Sequence, residues 1–180
     1  MLHITVPEKE IFNDSTGEFL YVKECTLQLE HSLVSISKWE SKWCKPFIHT
    51  NDKSYEEVID YIKCMTITQN VNPLVYRCLS ADNIKAINDY INSPMTATTF
   101  SNNNNGKKNR EIITSEILYY QMIALGIPFE CQKWHLNRLI TLIEVCSIKN
   151  QPPKKMSRNE IASRNAALNA ARRKRLNSKG

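Results

Sequence analysis

The sequence predicts an α+β protein, mainly α-helical: an N-terminal β-hairpin or small antiparallel sheet packed on a multi-helix body, ending in a basic C-terminal tail that is helical or disordered. Three observations predict it. Strand-like runs separated by turn formers stop at Leu29, the apolar period lengthens to three and four residues from Leu33 onward, and the last 27 residues hold nine bases against one acid.

His3–Val6 and Glu10–Phe12 read as strands, the cluster Asn13-Asp14-Ser15-Thr16-Gly17 as a turn, and Glu18–Val22 as the returning strand of a hairpin. Thr26-Leu27-Gln28-Leu29 alternates polar and apolar residues and extends the β region. Leu33, Ile36, Trp39 and Trp43 then recur at helical spacing until Pro46. Ser54 and Glu57 form a capping box, each side chain satisfying a helix-start amide, so a helix is expected over 55–67. Pro73 suits a helical first turn, and Ser80 caps a helix with Ile84, Ile87 and Ile91 on one face, ended by Ser93-Pro94. The stretch from Ser101 to Asn109 lacks apolar residues and reads as an exposed loop. Thr114 or Ser115 starts a further helix that Gly126 ends. Pro128 introduces the longest expected element, Phe129 to about Ile148, apolar on most sides and therefore expected at the centre of the core. Gln151-Pro152-Pro153 breaks the pattern, giving a compact domain over 1–150 and a tail over 151–180, where Ser157 and Glu160 make a second capping box before an alanine-rich stretch.

With 180 residues, 42% hydrophobic and 23% charged, the chain is long enough to bury a core without disulfides or a structural metal. No window approaches the roughly 18 apolar residues that span a bilayer, and Met1-Leu2-His3-Ile4 lacks a basic flank and apolar signal core, so no membrane contact is expected. Six cysteines, at 25, 44, 64, 78, 131 and 146, show no Cys-x-x-Cys pair and read as thiols in a reducing compartment.

The chemical motifs are sparse. Cys131 and His135 have the spacing of two metal ligands on one helix, with Cys25, His31, Cys44, His49 and Cys146 as possible completing ligands, but one such pair does not make a zinc signature, and buried thiols with a hydrogen-bonded histidine are the simpler reading. Four glycines provide no phosphate loop, and neither Gly-x-Ser-x-Gly nor His-Glu-x-x-His occurs. The expectation is a protein without catalytic residue, metal or cofactor. Trp39, Trp43 and Trp134 sit within apolar periodicity and read first as core; any that is exposed becomes a partner anchor, Arg138 lying one turn from Trp134. The tail bases, Lys154, Lys155, Arg172, Arg173, Lys174 and Arg175 foremost, suit phosphate neutralisation, docking on an acidic protein, or simple solubility.

Leu27–Glu40 followed by Lys45-Pro46-Phe47, together with Tyr61–Met65, Ile127–Cys131, Trp134–Leu139 and Leu168–Arg173, resembles small morphogenesis proteins of tailed bacteriophages, most of all the tail assembly chaperones. The resemblance implies a protein of the host cell cytoplasm that escorts the tape measure protein while tube subunits polymerise around it, is absent from the mature virion, and is often made also in a frameshifted longer form. Self-association is compatible with it. Two other functions compete: a structural head-tail or tail completion protein of the virion, and a nucleic-acid-binding phage factor acting through the basic tail.

Overall fold

The computed structural model describes residues 1–13, 17–100, 112–151 and 157–177. The expected loop over 101–109, most of the hairpin turn, the prolines at 152 and 153, and Lys154 and Lys155 lie outside the described residues. Contacts divide the chain into Met1–Ser147 and Ile148–Gly180, so the first unit ends within the last helix of the body rather than at Gln151.

Four strands open the chain: β1 (Leu2–Val6), β2 (Lys9–Asn13), β3 (Glu18–Val22) and β4 (Cys25–Leu29). β1 pairs with β4 and β2 with β3, both antiparallel, as two two-stranded sheets. The register sets Ile4 opposite Leu27 and Val6 opposite Cys25. Alternation then places Ile4, Val6, Leu27 and Leu29 on one buried face. In the β2–β3 hairpin Ile11 faces Leu20, while Phe12 and Phe19, with ring centroids 5.1 Å apart, stand on the exposed face. The free edge of β4 is closed by the chain after the second helix: Glu30 N donates to Met65 O, Ile67 N to Gln28 O and Gln28 N to Thr68 Oγ1, all within 2.9 Å.

The helices of the body are α1 (Leu33–Trp43), α2 (Tyr55–Met65), α3 (Ala81–Asn92), α4 (Ser115–Ala124) and α5 (Leu136–Asn150), with 3-10 turns at Pro73–Arg77 and Phe129–Lys133. The expected caps form except at α4, where the N-cap Thr114 makes no side-chain cap bond. Ser54 and Glu57 close a reciprocal box, Ser80 Oγ accepts from Asn83 N, and Gly126 adopts φ +66° after α4. Ser32 and Ser35 cap α1, and the helix ends at Cys44 in a left-handed conformation, two residues before Pro46.

Two expectations are corrected. The element from Phe129 to Ile148 is not one helix, because Trp134 is extended, Ser32 and His135 form an isolated antiparallel bridge, and Leu136 N donates to His31 O at 2.7 Å. A backbone amide engaged by the β4–α1 junction is unavailable to a continuous i to i−4 ladder, so the chain makes a 3-10 turn and restarts as α5. Cys131 and His135 therefore do not share a helix face. The centre of the core is α1, which packs on α2, α4 and the second 3-10 turn. Leu33, Ile36 and Trp39 are fully enclosed, whereas α5 buries only Leu136, Leu139 and Ile143.

Enclosing α1 brings polar groups inside, and those of α1 itself are answered, whereas the Ser115 hydroxyl at the start of α4 is buried without a partner. Trp39 Nε1 donates to Glu57 O at 2.9 Å. The Glu40 carboxylate accepts from Phe47 N and from Ser115 N, both at 2.7 Å, fastening the following loop and the start of α4 to one side chain. Where the bridge meets α1, the His31 and His135 rings lie 5.1 Å apart, edge to face. His135 Nε2 lies 3.0 Å from Tyr90 O, which only accepts, so the ring proton resides there and Nδ1 accepts from Asn137 N. His31 Nδ1 lies 2.5 Å from the Tyr61 hydroxyl. Burial, reinforced by His135, lowers the His31 pKa to about 3, and burial lowers that of His135 as well.

Two measurements test this interior. Glu40→Leu strands two buried N–H donors and should cost about 3 kcal/mol in urea denaturation, with Glu40→Gln losing less. The unfolded chain protonates His31 from 6.5 downward, the folded chain not until about 3, so its contribution is complete above pH 6.5 and is lost on acidification. Between about pH 7 and about pH 5 the His31 linkage alone should remove about 2 kcal/mol, and His31→Gln should flatten the dependence there.

Candidate functional site

Three of the body elements and one strand surround an open hollow in the first unit. α2 begins at Tyr55 because the Ser54–Glu57 box fixes its first turn, and helical spacing then aligns Tyr55, Ile59 and Lys63 on one side. The C-terminal turn of α1 contributes Lys42 and Trp43, the 3-10 turn contributes Pro73, Leu74, Tyr76 and Arg77, and β2 contributes Ile11. Together they line an open groove of about 860 Å³.

The groove is graded from floor to rim. Ile59 and Tyr76 are buried, Trp43, Leu74 and Ile11 half-buried, and Tyr55 is 72% exposed. Two polar bonds fix the aromatic floor: Trp43 Nε1 donates to Asp60 Oδ2 at 3.0 Å, and the Tyr76 hydroxyl donates to Thr66 Oγ1 at 3.0 Å. Lys42 closes an ion pair with the other Asp60 oxygen at 2.5 Å and reaches over the Trp43 ring, while Lys63 lies 5.7 Å from the Tyr76 ring centre. Burial pushes the Tyr76 phenol upward. Beneath, Lys45 and the Ser54 amide hold the Glu57 carboxyl below the usual carboxylate range. An apolar, aromatic floor with fixed side chains and a rim of mixed charge suits an amphipathic segment of another polypeptide.

A second cleft, of about 480 Å³, opens between the loop after α1 and helices α2, α3 and α5, with His31 and Tyr61 in its lining. Its cationic group is engaged: Lys53 Nζ donates to the Phe47 and Thr50 carbonyls and lies 4.3 Å from the Phe47 ring centre. Burial lowers the Lys53 pKa.

The expected anchors separate. Trp43 lines the groove. Trp39 has no exposed surface, so its expected role in partner binding is corrected: four residues earlier on the same helix it faces the centre of the body instead of its end. Trp134 and Arg138 lie outside the groove and engage each other, the guanidinium carbon 4.2 Å from the ring centre. Arg172, Arg173, Lys174 and Arg175 belong to a further helix in the second unit, α6 (Arg158–Leu176), where every side chain is exposed. Tyr55, Ile59, Leu74 and Tyr76 were not foreseen; an aromatic residue directly behind a capping serine, exposed on the first turn of an otherwise apolar helix, was the signal at Tyr55.

Among the described residues, no group of three or more His, Cys, Asp or Glu side chains is placed to hold a metal ion, and no helix is long and apolar enough to cross a membrane. No protein-family model matches the chain, and neither a curated protein nor a solved structure matches it.

The two tryptophans of α1 should part under mutation. Trp39→Ala should cost about 4 kcal/mol, and Trp43→Ala, half-buried in the groove floor, less than half of that, as read by chemical denaturation with the same slope for both.

Proposed function

We propose that the protein binds an amphipathic polypeptide segment and acts as a tail assembly chaperone of a tailed phage, holding the tape measure protein while the tail forms. The observation that carries this reading is the groove between α1, α2 and the first 3-10 turn. It encloses about 860 Å³ and is floored by Trp43, Ile59 and Tyr76, two of them fixed by hydrogen bonds. Its rim offers the exposed cations Lys63 and Arg77 and the acid Glu56, with Lys42 paired to the buried Asp60 that holds Trp43. A helix with anchors at i, i+3, i+4 and i+7 and acidic flanking residues meets both requirements. The likeness of the Leu27–Glu40 and Trp134–Leu139 stretches to phage tail assembly chaperones supplies the biological setting. Binding of this kind is an equilibrium function and calls on no catalytic residue or cofactor.

Helical peptides covering the phage's own tape measure protein provide the test, with Trp43 fluorescence or calorimetry as the readout. The full-length chain should bind a subset of them. Tyr55→Asp, an exposed change that leaves the core intact, should weaken binding at least tenfold, since a charge then enters the apolar contact. Absence of binding by every peptide, or presence of the chain in purified virions at the abundance of a structural subunit, would defeat the escort role.

A further inference from the structure

We propose that α6 is a nucleic-acid-binding helix, a function separate from the groove and resting on different residues. The helix is held at both ends without burying anything. Ser157 and Glu160 form a capping box, with Ser157 N donating to Glu160 Oε2 at 2.7 Å, and Asn177 closes the other end in a left-handed conformation, its amide donating to Arg173 O. None of its side chains is buried: Ile161, Leu168 and Leu176 remain 44%, 46% and 72% exposed.

Three large aliphatic side chains on a 19-residue helix offer little apolar surface to a partner, so affinity at this element must come from charge. The bases are Arg158, Arg164, Arg172, Arg173, Lys174 and Arg175, against the single acid Glu160, which is bound into the cap. One or two cations in the last turn already complement the helix dipole, and here there are three, Arg173, Lys174 and Arg175, directly preceded by Arg172.

Their arrangement distinguishes the possible ligands. Consecutive residues of a helix diverge by about 100°, so Arg172–Arg175 point around the whole circumference of the helix. A flat acidic protein surface reaches at most half of such a ring. A duplex major groove has phosphates on both walls and so reaches cations on more than one side of a helix lying in it. Ala162, Ala166 and Ala170, at four-residue steps, keep one side of the helix slim where it would enter. Dense phosphate charge also converts a few exposed cations into affinity by releasing counterions, which an acidic protein does far less.

The test is fluorescence anisotropy of the full-length chain with a labelled mixed-sequence DNA duplex of about 20 base pairs and, in parallel, a single-stranded RNA of about 20 nucleotides. Engagement of about four phosphates predicts that affinity falls about a hundredfold between about 50 and 200 mM salt. The two arms decide which nucleic acid is preferred. Arg172→Ala/Arg173→Ala/Lys174→Ala/Arg175→Ala, which keeps the helix because alanine is the best helix former, should lose at least tenfold in affinity at the lower salt and most of the salt dependence. Arg172→Lys/Arg173→Lys/Arg175→Lys should retain both. Circular dichroism on each variant verifies that the helix persists. Three results would overturn the proposal: no binding to either probe at about 50 mM salt, unchanged binding by the alanine variant, or displacement by polyglutamate as effective as by unlabelled duplex at equal charge. Because the groove residues are untouched in these variants, peptide binding there stands or falls independently.

Discussion

Glu40 lies on the most enclosed helix of the body with 7% of its surface exposed, and it is met by two backbone amides rather than by a cation. One amide belongs to Phe47, in the chain that leaves α1, and the other to Ser115, which opens α4. A single carboxylate thus ties together three segments up to 75 residues apart. The cost of enclosing it is offset because both oxygens are satisfied. The same logic governs the buried face of the helix. Trp39 is answered by Glu57 O, Ser35 by its own cap, and the His31–His135 pair beside it by Tyr61 and Tyr90, while Lys38, Ser41 and Lys42 on the other face stay exposed. The groove depends on that enclosure, since Trp43 is the last residue of this helix and its position is set by everything beneath it.

Local signals in the sequence carried well wherever a single segment decided its own fate. Ser54 with Glu57, Ser80, Ser157 with Glu160 and Gly126 marked helix ends correctly, because a cap is a bargain between residues three or four apart. The alternation in β1 and β4 likewise revealed which face is buried. What did not show was any feature decided by distant partners. The break at Trp134 and His135 follows from pairing with Ser32, about a hundred residues earlier, and an apolar run spanning both sides of it looks continuous. For the same reason α5 read as the core's centre: its apolar residues outnumber those of α1, yet only three of them are buried.

The groove was legible only in part. Periodicity placed Trp39 and Trp43 on one side of α1 without telling that the body closes over the first and stops short of the second. Tyr55, Leu74 and Tyr76 come from segments with different local structure, and no pattern in the sequence joins them. The basic helix was the opposite case. Its charge, its caps and its scarcity of large apolar residues are all local, so its exposure could be read directly, while the choice between helix and disorder stayed open until the structure showed α6.

Exposed apolar side chains are not confined to the groove, and the difference between sites is physical. On α4, Tyr120 and Ile123 are 70% and 63% exposed, close in sequence to Phe129 at 53%; on the hairpin, Phe12 and Phe19 form an outward pair. A partner at either place would have to immobilise side chains restrained only by an exposed ring contact, or not held by a hydrogen bond to the fold, losing rotamer entropy for each. In the groove that ordering has largely been done by the fold: Asp60 holds the Trp43 indole, Thr66 holds the Tyr76 phenol, and Ile59 is packed from below. A concave floor also removes water from several sides of an inserted residue at once. Equal apolar area would therefore bind more tightly at the groove than on α4 or the hairpin, which is why we propose the polypeptide-binding role for the surface with the most constrained aromatic residues rather than for the one with the most exposed.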